Sequence, residues 1–273
     1  MEATTADHHR PAGELAANAR AVAALGKRSI KQTMRRPQLI APLVLIPTAL
    51  LAIQTAGAGN AVNLPGFPHV NSFLSFMLAG AIVQSVLFAG NSSAIAFAID
   101  IEMGFTDRLF AAPISRYAVV LGRLAATGAL GGLIALYFLV LGLVFGASIN
   151  EGVLAAIWIV GLVAAAAIAF GTIGAAIALR SNSASVVQGI FPLVFVIMFL
   201  SDAFFPANLM LDPAGWVAQY NPLSFVVNGI REPIIADWSL STELKAVASI
   251  IGVGILGLVL CRLALRGRVR RGL

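Results

Sequence analysis

Long apolar runs alternate with short polar connections along most of this 273-residue chain. A helix that crosses about 30 Å of hydrocarbon needs roughly 20 predominantly apolar residues. Six runs approach or exceed that length, near Leu39–Ala56, Phe73–Ile99, Tyr117–Phe145, Val153–Leu179, Val186–Phe205 and Leu244–Leu263. The pattern therefore predicts an all-α integral membrane protein with six transmembrane helices.

The composition supports a membrane location. Hydrophobic residues make up 59% of the chain and charged residues 11%, whereas soluble domains average roughly 45–50% and about 25%. These values exclude an ordinary soluble enzyme, a disordered tail and a disulfide scaffold. The single cysteine, Cys261, excludes an internal disulfide and a cysteine-cluster metal site.

The basic residues are distributed unequally between the two sides of the predicted bundle. Seven precede the first span, and three lie in or just after the connection between the second and third spans. One follows the fourth span, and five lie at the end of the sixth span or after it. Only Arg231 and Lys245 remain for the other side. By the positive-inside rule, both termini are expected to be cytoplasmic. The net charge of +6 thus indicates topology and not nucleic-acid binding.

The segment before the first span predicts a helix along the membrane surface. Residues 1–13 are expected to be disordered, and residues 14–36 contain no proline. At 100° per residue, one side carries Leu15, Ala19, Val22 and Ile30, and another carries Arg20, Lys27, Lys31 and Arg35. Such a basic amphipathic helix is expected to lie in the interface beside anionic headgroups.

The connection at residues 100–116 predicts a short helix with an apolar face. Phe105, Leu109 and Ala112 share one side, Pro113 ends the helix, and Ser115 is placed to cap the next one. The pattern alone leaves two alternatives for this face. It packs back against the bundle, or it inserts into a groove on a partner protein.

The segment between the last two spans is too long for a simple connection. Asp212 with Pro213, and Asn221 with Pro222, each resemble a cap followed by the first helical residue. The second helix is too apolar for a solvated loop and too short for a span. An outer re-entrant or interfacial helix pair at residues 206–236 is therefore expected.

The second span carries a polar stripe. Gln84 and Asn91 are seven residues apart and share a face with Phe88. One interpretation is interhelical hydrogen bonding. The other is the wall of a transport pathway or a subunit interface.

Several kinds of chemistry are missing from the sequence. No Asp, Glu, Lys or His occupies the middle of a predicted span, so the usual coupling groups of a secondary transporter are lacking. The chain has no phosphate-binding P-loop motif and no plausible catalytic constellation. We therefore expect neither an enzyme nor a metal site, and uphill transport would need energy from another polypeptide.

Two motifs resemble those of ABC-2 type exporter permeases, most nearly the daunorubicin/doxorubicin-resistance (DrrB/DrrC) type. The first consists of Asp100, Glu102, Gly104, Arg108, Leu109, Pro113, Ser115 and Arg116. The second consists of Phe205-Pro206, the run Asn221-Pro222-Leu223-Ser224-Phe225, and Arg231. The six-span plan, the amphipathic N-terminal helix and the outer helix pair agree with this family.

The resemblance implies a coupling helix that docks on a cytosolic P-loop ATPase, with two ATPase copies and a second permease, identical or homologous. The implied coupling residues are Glu102, Gly104, Phe105, Arg108, Leu109, Pro113 and Arg116. ATP and Mg²⁺ would bind the ATPase and not this chain. The implied pathway residues are Gln84, Phe88, Asn91, Phe191, Phe195 and Met198.

The function expected from this resemblance is export of a lipophilic drug, a lipid or a glycoconjugate across a bacterial plasma membrane, with antibiotic resistance as one outcome. A stand-alone channel or facilitator is the main alternative, and a membrane scaffold without transport is a third. An associated ATPase would distinguish the exporter from both.

Overall fold

In the computed structural model, the described residues are 20, 22–31, 35, 37–106, 109, 116–147, 149–236 and 238–270. Every regular element in this part of the chain is helical. Residues 22–31 form α1. The other helices are α2 (Pro37–Ala58), α3 (Phe73–Glu102), α4 (Arg116–Val144), α5 (Gly152–Ser181), α6 (Ala184–Phe199), α7 (Ala214–Tyr220), α8 (Pro222–Ile235) and α9 (Leu240–Arg270).

Five of the described helices are long and apolar enough to cross a membrane: α2, α3, α4, α5 and α9. The helix at the predicted fifth span is shorter. It contains 16 residues and is about 24 Å long. The predicted span continued to Phe205, but the chain after Phe199 forms turns. Apolar composition extends past the end of the helix, which is why the pattern predicted a longer one.

Helix α3 occupies the centre of the bundle. Of its most apolar stretch 94% is buried, against 17% for α2 and 22% for α9. The helix also continues past Ile99, the predicted end of the second span, to Glu102. The hydrophobic core forms around α3 and α5 and includes Phe76, Ile82 and Ile159.

The two ends of the bundle differ in charge. The basic end comprises α1, the chain after α3, the connection between α5 and α6, and the end of α9. Its described basic side chains include Lys27, Arg28, Lys31, Arg180, Arg262 and Arg266. The opposite end, called the acidic end here, comprises the chain after α6, helices α7 and α8, and the start of α9. Asp202, Asp212, Glu232 and Glu243 lie there, with Arg231 and Lys245.

Helix α8 buries the apolar face that its sequence predicted. Val227, Ile230 and Ile234 are fully buried, and the helix packs against α3, α5 and α9. Asn221 caps α8 as predicted, because its Oδ1 accepts a 2.9 Å hydrogen bond from the Leu223 N–H. The predicted cap at Asp212 is wrong. Helix α7 begins at Ala214 with Pro213 at the N-cap, so Asp212 lies one residue too early.

Only part of the predicted N-terminal helix falls within the described residues. Residues 1–19 lie outside them, as do 21, 32–34 and 36. Helix α1 crosses α4 where Gly26 meets Gly122. A Cβ on Gly122 would lie 2.8 Å from the Leu25 Cβ, which is too close for two carbon atoms. The absence of a side chain at Gly122 thus allows α1 to contact the bundle.

Candidate functional site

At the basic end, the Glu102 side chain links the end of α3 to the start of α6. Its Oε1 accepts a 2.8 Å hydrogen bond from the backbone N–H of Ala184, the first residue of α6. Ser183 occupies the N-cap position, but its own side chain makes no capping bond. Glu102 therefore supplies the missing acceptor, and its negative charge is favourable beside a helix N-terminus.

Gly104 turns the chain directly after α3. Its φ of +67° lies in the left-handed region, which residues with a Cβ rarely adopt. No atom lies within 4 Å of a Cβ added there. A substitution would therefore change the backbone of the turn and not the packing.

Phe105 joins this turn to α1. The guanidinium carbon of Arg28 lies 3.9 Å from the centre of the Phe105 ring. A cation held over an aromatic face at this distance is attracted by the ring. Together with the crossing of Gly26 and Gly122, this contact holds α1 against both α4 and the chain after α3.

An ion pair joins the same end of α3 to α4. The Arg123 guanidinium pairs with Asp100, and both side chains are mostly buried. The guanidinium also lies 4.9 Å from the Phe97 ring. Deeper along the same helix pair, the hydroxyls of Ser93 and Thr127 are 2.8 Å apart. The ion pair between Arg123 and Asp100 was not predicted from the sequence. The available signal was an acidic and a basic residue near the facing ends of consecutive spans.

The structure brings together three of the predicted coupling residues: Glu102, Gly104 and Phe105. Leu109 is described and partly buried. Arg108, Pro113 and the side chain of Arg116 lie outside the described part of the structure. The coupling assignment of all these residues stays a prediction.

The predicted pathway residues of α3 and α6 meet inside the bundle. Phe88, Phe191 and Phe195 form a triangle in which each pair of ring centroids is 5.2 Å apart. Met198, one turn further along α6, is 1% exposed. These edge-to-face and tilted ring contacts hold α6 against α3.

Gln84 is buried in the middle of α3 with its amide unpaired. The side chain is 1% exposed, and neither Oε1 nor Nε2 hydrogen-bonds to a described residue. Ser85, its neighbour, bonds to the Ala81 carbonyl of its own helix. The interhelical hydrogen bonds that the polar stripe suggested are therefore not made by Gln84 or Ser85.

A cavity of about 250 Å³ lies between α3, α5 and α6. Its walls are apolar and include Phe170, Ile190 and Val194, and Asn91 is the one polar side chain among the described lining residues. A cavity of this kind suits a hydrocarbon chain or ring with a single hydrogen-bonding group.

At the acidic end, Arg231 of α8 reaches across to the chain that follows α6. Its Nη2 donates to the carbonyls of Asp202 at 2.8 Å and Ala203 at 3.1 Å. Its Nε donates to the Phe76 carbonyl of α3 at 3.2 Å. Burial lowers the pKa of the Arg231 guanidinium to about 10, and the neighbouring Asp202 opposes that shift. The side chain is therefore charged at neutral pH.

The residues around Arg231 complete a buried polar cluster, which we call the lock. It consists of Asp202, Asn221, Ser224, Asn228 and Arg231. Asn228 Nδ2 donates to Asp202 Oδ2 at 2.7 Å, and the Ser224 hydroxyl accepts from the Asp202 N–H at 3.1 Å. The motif that carries the family resemblance contains Asn221, Ser224 and Arg231, whereas Asp202 was not predicted. The available signal was an acidic residue inside the predicted fifth span.

Asn221 completes the end of α6. Its Nδ2 donates to the carbonyls of Ile197 at 2.8 Å and Leu200 at 2.9 Å. These carbonyls lie at the C-terminal end of α6, where a helix has no internal donors left. Lipid supplies no donors either. Asn221 thus helps α6 to end after 16 residues.

The turn after α6 also lies directly against α3. A Cβ added at Gly80 would clash with the Ala203 carbonyl oxygen. The lock therefore depends on a glycine in α3 as well as on its own polar residues.

The sequence matches a model of the ABC-2 type transporter family over residues 20–235. The match begins just before α1 and ends with α8, so it contains the turn after α3, the aromatic triangle and the lock. No curated protein matches the sequence.

Proposed function

The chain belongs to the ABC-2 type transporter family, and from that premise we propose that it exports a lipophilic molecule when a separate P-loop ATPase binds its basic end. As an ABC-2 membrane domain it is a permease component and not itself catalytic. The main observation in support of this proposal is the aromatic triangle of Phe88, Phe191 and Phe195. It joins α6, whose first residue is held by Glu102, to the central helix α3.

The proposed docking surface is the chain after α3 together with α1. Met103 is 74% exposed there, and Arg28 supports Phe105 from the side of α1. An ATPase that pulls on residues 104–109 would move Glu102. Since Glu102 bonds to the Ala184 N–H, the same motion would tilt or shift α6.

The proposed pathway follows the contact between α3 and α6. A shift of α6 separates Phe191 and Phe195 from Phe88 and opens the cavity beside Asn91. The lock holds the opposite end of α6 during this motion. Binding of the ATPase more tightly to one arrangement than to the other would supply the free energy of the cycle.

The proposed orientation has the basic end in the cytoplasm of a bacterium. The exposed Lys27, Lys31 and Arg266 support it by the positive-inside rule. Helix α6 with its following turn then serves as a short sixth span, and both termini are cytoplasmic. A second permease, identical or homologous, would complete the transporter, and the apolar cavity favours a drug, a lipid or a glycoconjugate with a lipid anchor.

Co-purification tests the proposal. The protein is purified in mild detergent as wild type and as Phe105→Asp with Leu109→Asp, and bound P-loop ATPases are identified and assayed. We expect the wild type to retain a P-loop ATPase and the double variant to lose at least about 90% of it, because charges in an apolar contact are costly.

Leu211→Asp is the matched control. Leu211 is 87% exposed at the acidic end, so this variant should retain the ATPase. Equal retention by the double variant would overturn the docking site. A wild-type protein that passes solute downhill in vesicles and never binds an ATPase would overturn the exporter in favour of a facilitator.

A further inference from the structure

At the acidic end, the first turn of α9 buries a carboxylate next to two indole rings. Glu243 is 3% exposed, and its Oε2 accepts a 2.7 Å hydrogen bond from Nε1 of Trp158 on α5. Trp158 packs against Trp238 with ring centroids 5.9 Å apart. The other oxygen of Glu243, Oε1, is buried and has no hydrogen-bond partner among the described residues. A buried polar atom without a partner costs free energy and requires an explanation.

A second carboxylate interacts with the first. Glu232 of α8 accepts a 2.7 Å hydrogen bond through Oε1 from the hydroxyl of Thr242, the residue before Glu243. Its Oε2 is also buried with no partner in the described chain. Glu243 itself lies against α8, because a Cβ added at Gly229, one turn before Glu232, would lie 3.2 Å from Glu243 Oε2. Two carboxylates that share a buried site cannot both be ionised without a penalty.

Among the described residues, no ion pair offsets these charges. The ion pairs found there join Arg123 to Asp100 and Arg231 to Asp202, and neither includes Glu232 or Glu243. Arg231 precedes Glu232, but its guanidinium is occupied by the lock. Lys245 is exposed and lines a groove with Pro222 and Phe225. Glu151, which precedes α5, is exposed and acidic, and Asp237 lies outside the described residues.

We propose that Glu243, packed against α8 near Glu232, forms a proton-binding site that joins α8 to α9. The proton comes from solvent and bonds to the unpartnered Oε1 of Glu243. Loss of that proton puts a buried negative charge on Glu243 near the Glu232 side chain and pushes α8 away from α9. Arg231 immediately precedes Glu232 on α8, so binding of the proton also affects the lock.

The proton site stands independently of the proposed transport function. Only its exposure to the outside medium rests on the proposed orientation. If that orientation is right, the acidity outside the cell controls how firmly the acidic end is closed.

Tryptophan fluorescence tests the site directly. The chain has three tryptophans, and Trp216 is exposed at 62%, so Trp216→Phe leaves Trp158 and Trp238 as reporters. The purified variant in lipid nanodiscs is titrated from about pH 5 to about pH 9. We expect a single-proton transition in emission, because the Trp158 N–H bonds directly to the Glu243 carboxylate.

Three further substitutions in this background decide the outcome. Glu243→Gln should abolish the transition. Glu232→Gln should move its midpoint to lower pH by about one unit, because removing a like charge makes the remaining acid easier to ionise. Glu151→Gln, the control at an exposed acid, should leave it unchanged.

A flat titration of the Trp216→Phe protein, a transition that persists when Glu243→Gln is added, or a midpoint unmoved by Glu232→Gln would each overturn the proposal. So would an equal emission change produced at constant pH by Ca²⁺ or Mg²⁺, since the pair would then be a cation site. The assay contains no ATPase, so its failure is distinct from a failure of the transport proposal.

Discussion

Helix α6 is held at its two ends by different means. At the acidic end, Arg231 and Asn221 together donate to five backbone carbonyls, and both side chains are buried. At the basic end, the first residue of α6 donates one hydrogen bond to Glu102, whose side chain is exposed. One end thus has a network of buried polar contacts, whereas the other has one hydrogen bond to an exposed side chain in addition to its apolar packing.

This difference indicates which end of α6 can move at a low cost in free energy. Breaking a buried charged network leaves desolvated groups unpaired, whereas an exposed carboxylate that loses its partner is solvated by water. The acidic end therefore acts as a fixed anchor for α6. The basic end is the end that a bound partner can displace.

The largest effect is expected from removing the charge at the centre of the lock. Arg231→Met should lower the free energy of unfolding in detergent by about 3–5 kcal/mol, because the buried Asp202 loses its cationic partner and three backbone carbonyls lose a donor. Unfolding followed by helical circular dichroism during titration with a denaturing detergent measures this. Arg262→Met, at an exposed arginine of the basic end, should change stability by less than about 0.5 kcal/mol. Equal stability of the two variants would contradict the conclusion that the acidic end anchors α6.

A smaller loss is expected at Asn221. Asn221→Ala removes the cap of α8 and both donors to the end of α6, and should cost about 2 kcal/mol in the same assay. Asn221→Ser keeps a capping oxygen for the Leu223 N–H but loses the two donors. It should therefore fall between the alanine variant and the wild type. If the serine variant is as unstable as the alanine variant, the whole loss of stability comes from the two hydrogen bonds to the end of α6.

The contrast between the ends also explains what could be predicted from the sequence. The Asn221 cap follows from an Asn-Pro pair at a helix start, which is a local signal. The five long spans follow from the number of consecutive apolar residues. The short length of α6 could not be predicted in this way, because Leu200 and Phe204 continue the apolar run beyond the helix.

The contacts that define the candidate site connect distant parts of the chain. Glu102 caps a helix that begins 82 residues later, and Arg231 reaches a carbonyl of α3 that lies 155 residues earlier. No local periodicity contains such pairings. The family resemblance singled out Glu102 and Arg231 but did not identify their partners. That the buried Gln84 amide would be unpaired could not be predicted either, because the sequence shows only that Gln84 lies in an apolar helix.

The smallest effect on stability, with the largest expected effect on transport, concerns Glu102. Glu102→Ala removes one exposed capping bond and should cost no more than about 1 kcal/mol. It should still abolish stimulation of the partner ATPase by the permease, because α6 no longer follows the chain after α3. Glu102→Gln, which keeps an acceptor oxygen for the Ala184 N–H, should retain part of that stimulation. ATPase rates measured with wild-type and variant permease in nanodiscs test this, with membrane insertion checked in parallel. Wild-type stimulation by the alanine variant would show that the Glu102 contact does not transmit the motion, and the contrast between the two ends would then concern stability alone.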